Sequence, residues 1–139
     1  MRQNKFWLKL VGTALLVHVI LIALSIIEVA FYSYVIETGK DEAFYSQHAN
    51  ESGPWVSAIG GSLLMFLLVK RYVRRFTDRQ LTYAIMLPVV YIAIDMIILA
   101  AANVNIIEHM AQLLPANAVK IAAALVAYYL YKPKKDSSG

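Results

Sequence analysis

Between Phe6 and Ile36 the chain runs as one long apolar stretch, with His18, Ser25 and Glu28 among its few polar side chains. A helix of that length exceeds what a small soluble core can cover, and it is ample for crossing a bilayer with tilt. Three further apolar runs follow, so the expected spans are about 6–36, 54–70, 81–103 and 115–131. In hydrocarbon each backbone polar group must be satisfied within its own segment, which makes these runs helices. The expectation is an all-α, four-helix transmembrane bundle forming a single domain over residues 1–139.

Composition supports this class. The chain is 60% hydrophobic and only 16% charged, more apolar than a soluble domain of this size tolerates. It has no cysteine, which removes disulfides, thiolate metal sites and thiol nucleophiles. The basic start and Ala23-Leu24-Ser25 imitate a secretory signal, but the apolar run continues to Ile36, longer than a signal core.

The net charge of +4 is unevenly placed. Arg2, Lys5 and Lys9 precede or open the first span; Lys70, Arg71, Arg74, Arg75 and Arg79 link the second to the third; Lys132, Lys134 and Lys135 follow the fourth. The other two loops carry Glu37, Asp41, Glu42, Glu51 and Glu108. By the positive-inside rule both termini are expected in the cytoplasm, in a multi-pass protein of the cell inner (plasma) membrane. This distribution orients a membrane protein and does not suit nucleic-acid binding. Partners are therefore the lipid bilayer, anionic lipid head groups at Arg71, Arg74 and Arg75, and a second copy or another membrane protein.

The two hairpins read as a tandem repeat. Glu28, Gln47-His48, Glu51 and Pro54 in the first correspond to Asp95, Glu108-His109, Gln112 and Pro115 in the second, and six residues separate His from Pro in both. Each carboxylate stands eight residues before the apparent outer end of its helix, at Ile36 or Asn103. The implied pseudo-two-fold axis would run along the membrane normal.

Charged groups inside a bilayer are costly, which makes Glu28 and Asp95 the leading substrate or ion residues, expected to face the interior as a pair. Ser25 and Tyr32 share the face of Glu28 on the first helix, and Tyr91 shares that of Asp95 on the third. Lys120, about one and a half turns inside the fourth span, either turns toward these carboxylates or, as expected here, snorkels outward. His48, His109, Glu51 and Glu108 form a weak metal-ligand set near the outer surface. Ser57-x3-Gly61, Ala118-x3-Ala122 and Ala123-x3-Ala127 are candidate packing seams.

Three functions compete. The first is a transporter or channel-like protein for a cation, proton or small amphiphile. The second is a non-enzymatic accessory or assembly subunit. The third is a membrane enzyme with an outer-face metal, disfavoured because no hydrolase, HExxH or phosphate-loop motif is present. No cofactor is implied.

The orientation has a direct test. A cysteine at Arg75 should resist an impermeant thiol reagent added outside, whereas cysteines at Asp41 and Glu108 should react. External labelling at Arg75 would invert the topology.

Overall fold

The computed structural model describes residues 2–134, so Lys135 lies outside the described residues. Within them the chain is all-α: α1 (Arg2–Phe31), prolonged by a π-helical turn at Tyr32–Ile36, then α2 (Glu42–Arg75), α3 (Gln80–Ala101) and α4 (Ile106–Tyr131). All four helices are long and apolar enough to cross a membrane.

Two helix starts differ from the expectation. Pro54 and Pro115 lie well inside α2 and α4 instead of opening them, because each helix is capped earlier. The Asp41 carboxylate accepts from Phe44 N at 2.9 Å, and the Asn105 side chain accepts from Ile107 N at 3.1 Å. Glu42 and Glu108 then place negative charge in the first turns, where the helix dipole favours it. Hydropathy marks the apolar part of each helix, whereas capping determines where the helix begins.

Helix lengths are unequal. At 1.5 Å per residue the 34 residues of α2 extend about 51 Å and the 22 of α3 about 33 Å. The α1–α2 hairpin therefore projects beyond the end of α3. Packing follows a ring, α1 beside α2, α2 beside α4, α4 beside α3 and α3 beside α1, with α2 and α3 touching across the diagonal. This order corrects the expected symmetry. A two-fold axis along the helices exchanging α1 with α3 and α2 with α4 would place each of those pairs on a diagonal. They are neighbours instead, so the hairpins lie side by side.

Burial divides the bundle in two. Leu10, Ala14, Val17, Met65, Val69, Leu87, Ala124 and Ala127 are completely buried in the half nearer the basic ends, where Tyr72 and Tyr83 also stack at 3.8 Å. Beyond Leu21 on α1, Tyr91 on α3, Gly61 on α2 and Asn117 on α4, toward the acidic loops, no helical residue is fully buried. One half is a close-packed core and the other is splayed open.

Of the small-residue seams, Ala127 is buried, together with Ala124, whereas Ala118 and Ala122 point outward. Gly61 answers a specific steric need, since a β-carbon there would stand 2.5 Å from Lys120 Cε. The glycine leaves room for the lysine stem to cross α2. Gly61→Ala should therefore cost about 1–2 kcal/mol, as overpacking exceeds the gain in helix propensity. In a Lys120→Ala background that cost should vanish, as a double-mutant cycle of thermal unfolding in detergent would reveal. Equal losses in both backgrounds would show that the glycine accommodates something else.

Candidate functional site

Where the packed half ends, each helix contributes one polar side chain to a single layer: His18 from α1, Ser57 from α2, Tyr91 from α3 and Lys120 from α4. Lys120 is only 1% exposed. Its Nζ donates to Ser57 Oγ at 2.7 Å and to Tyr91 Oη at 3.4 Å, and lies 4.6 Å from the centre of the Tyr91 ring. His18 stacks on Tyr91 with ring centres 4.1 Å apart. Its Nε2 lies 3.1 Å from the Tyr91 carbonyl. A carbonyl oxygen can only accept, so this contact fixes the tautomer with the proton on Nε2.

The inward turn of Lys120 reverses the snorkelling expectation. Because α4 begins at Ile106, Lys120 stands fourteen residues from one end and eleven from the other. At about 1.5 Å per residue, neither end is within reach of a lysine side chain about 6 Å long. The ammonium must find partners inside the bundle.

Above this layer, toward the acidic loops, a partly open cavity of about 220 Å³ lies between α2, α3 and α4. Lys120 and Ser57 form its floor, Asp95 and Asn117 line its walls, and His109 and Val104 lie toward its outer end. Asp95 follows Tyr91 by four residues, about one turn farther out on the same face. The cavity thus contains one carboxylate and one ammonium, which do not form a direct ion pair.

Glu28 occupies a different place. Level with Tyr91, His18 lies ten residues before Glu28, and ten residues also separate Tyr91 from the end of α3 at Ala101. Glu28 is therefore level with the end of α3, about 15 Å above the layer, while Asp95 is about 6 Å above it. The expectation that the two carboxylates form a close pair at one depth is not met: Glu28 opens onto a groove between α1 and α2, apart from the cavity of Asp95.

The Glu28 carboxylate is fully engaged. His48 Nε2 donates to Oε1 at 2.7 Å, and Ser52 Oγ donates to Oε2 at 2.9 Å. The π-helical turn after Phe31 brings the Tyr32 ring flat against His48, with centres 3.5 Å apart. A π turn re-aims side chains that a regular helix would point elsewhere. Together these residues clasp α1 to α2 where the hairpin leaves the ring. Both His48 and Ser52 donate to the same carboxylate, so they do not form a nucleophile and base. Ser25 is half-buried and belongs to the lining of neither cavity.

The expected metal set is not assembled. His48 is committed to Glu28, Glu51 accepts from Gln47 at 3.0 Å, and His109 Nδ1 donates to the Asn105 carbonyl one turn earlier at 2.9 Å. Glu108 instead sits in the capped first turn of α4. Among the described residues no three His, Asp or Glu side chains gather to hold a metal ion.

Sequence reasoning names Lys120, Tyr91 and Asp95 but misses Ser57 as a ligand and Asn117 as a wall. A small-residue motif hides the first, since Ser57 reads as a spacer for Gly61. Fold and site define an all-α chain with four membrane-competent helices and a partly open cavity between three of them that holds Lys120 and Asp95. Comparison with protein-family models, curated proteins and solved structures finds no match.

The clasp is expected to behave as one unit. Glu28→Gln and His48→Ala should each lower thermal stability, and the double substitution should cost about 1 kcal/mol less than their sum, a partly exposed charge-assisted hydrogen bond being worth that order. Additive losses would dissolve the clasp as an energetic unit.

Proposed function

We propose that this chain is a multi-pass plasma-membrane protein, with both termini cytoplasmic, that moves a monovalent cation or proton. One observation carries the reading: a buried ammonium, Lys120, forms the floor of an outward-leading cavity that also contains Asp95, above a closed apolar core. An ionised group midway across a membrane is expensive and needs partners or a role. Hydroxyls at Ser57 and Tyr91 offset only part of that cost.

In this reading a cation enters the open half and takes Asp95 as its counter-ion. Lys120 is the tethered alternative, able to compensate Asp95 when the site is empty and displaced electrostatically when it is filled. The core of Leu10, Val17, Met65, Val69 and Leu87 blocks the cytoplasmic half, the arrangement of one end of an alternating-access cycle. Glu28 serves as a clasp and carries no solute. The two hairpins are side-by-side copies of one ancestral unit, consistent with N-caps midway between carboxylate and proline in both: thirteen residues from each for Asp41, ten from each for Asn105.

A second reading has one observation in its favour. The Ala118 and Ala122 stripe faces outward and is free to receive another helix, as an accessory subunit requires.

Reconstituted vesicles distinguish the two. Asp95→Asn should abolish cation- or proton-driven flux, Lys120→Met should lower the half-saturating cation concentration severalfold, and Glu28→Gln should retain most of the flux. Wild-type flux in Asp95→Asn would overturn the site. No flux in the native protein, with a stoichiometric partner copurifying, would favour the accessory role.

A further inference from the structure

A second cavity, about 270 Å³, lies at the opposite end of the bundle between α1 and the last turns of α2. Three cations line it, Lys9, Arg71 and Arg75, and no carboxylate does. None of them forms an ion pair among the described residues. Lys9 Nζ instead rests 3.6 Å from the centre of the Phe76 ring, and Thr13 Oγ1 donates to the Lys9 carbonyl at 2.7 Å. Three like charges held around one concavity repel each other, so an anion there would relieve the repulsion as well as gain contacts.

The order of residues along the helices specifies the anion further. Leu16 lies seven residues deeper into α1 than Lys9, and Leu68 lies three and seven residues deeper into α2 than Arg71 and Arg75. On both helices, therefore, the cations mark the end of the bundle and the leucines continue toward its middle by about one to two turns. That is the profile of an anionic phospholipid, with phosphate at the surface and an acyl chain running inward. Guanidinium and ammonium groups supply the charge-assisted donors that a phosphate diester accepts.

We propose that Lys9, Arg71 and Arg75 form a binding site for the head group of an anionic phospholipid, whose first acyl carbons lie against Leu16 and Leu68. The site is independent of cation movement, since it shares no residue with the Lys120 cavity. It redraws the arginine set read from sequence: Lys9 enters from α1, whereas Arg74 is absent from the lining.

Native mass spectrometry of the purified protein, titrated with phosphatidylglycerol or phosphatidylcholine, tests this. The native chain should retain one phosphatidylglycerol in preference to phosphatidylcholine. Lys9→Gln, Arg71→Gln and Arg75→Gln should each weaken retention about fivefold, the equivalent of about 1 kcal/mol per basic residue at a membrane surface. Arg74→Gln should stay within about twofold of the native chain. Circular dichroism on each variant restricts the comparison to folded protein. Equal loss in Arg74→Gln would reduce the effect to diffuse surface charge and overturn the site. So would equal retention of phosphatidylcholine. Displacement of the lipid by inorganic phosphate alone would identify a free-phosphate site instead, and would overturn the lipid assignment.

Discussion

The contact of Lys120 with Ser57 and Tyr91 is the constraint around which the bundle is arranged. A lysine midway along α4 reaches no helix end, so its ammonium must be satisfied across the interior by neighbouring helices. That requires α2 to come close enough for a hydroxyl, and Gly61 removes the one β-carbon that would prevent it. It also requires a ring on α3, which His18 holds from α1 by stacking and by a bond to the Tyr91 carbonyl. All four helices thereby meet at one level. Below it apolar side chains interdigitate, and above it the helices separate enough to leave the cavity of Asp95.

Much of this is legible in the sequence, for reasons that vary by element. Lipid-compatible length and composition identify α1 and α3 almost to their ends. The starts of α2 and α4 escape a hydropathy argument because residues 42–53 are polar and residues 106–114 are interrupted by Glu108, His109 and Gln112, although the caps at Asp41 and Asn105 start the helices there. One misplacement brings another with it. Starting the fourth span at Pro115 sets Lys120 near an end, from which snorkelling follows; capping at Asn105 sets it midway, from which burial follows.

Glu28 illustrates a different limit. Counting residues from the apparent ends gives Glu28 and Asp95 equal depth, but α1 overhangs α3, and depth is measured against neighbours instead of along one chain. The stacked contact between His18 and Tyr91 provides the missing registration. Tyr72 and Tyr83 stand in sequence close to basic residues, where aromatic side chains commonly mark a membrane interface. Their mutual stacking makes them part of the core, a pairing between α2 and α3 that no spacing within either helix reveals.

The connections at the basic end bear on how an opening of the packed half would arise. The α2–α3 link is short and heavily tied: Tyr72 Oη donates to the Asp78 carbonyl at 3.0 Å, and Gln80 Nε2 donates to the carbonyls of Val73 and Phe76 at 2.9 and 2.7 Å. Separating α2 from α3 there would break three hydrogen bonds and the tyrosine stack at once. The basic ends of α1 and α4 pack against this pair. Their inner faces meet the core through apolar side chains such as Leu10 and Val17 on α1 and Ala124 and Ala127 on α4, contacts that can slide, whereas His18 and Lys120 tie the same helices to Tyr91 and Ser57 at the polar layer. If the closed half opens during cation movement, displacing α1 costs the His18 bond to Tyr91 and displacing α4 costs the Lys120 bonds to Ser57 and Tyr91, fewer ties than those holding α2 to α3. Lys120 rides on α4 and Asp95 on α3, so a displacement of α4 would change their separation and couple the state of the site to the opening of the core.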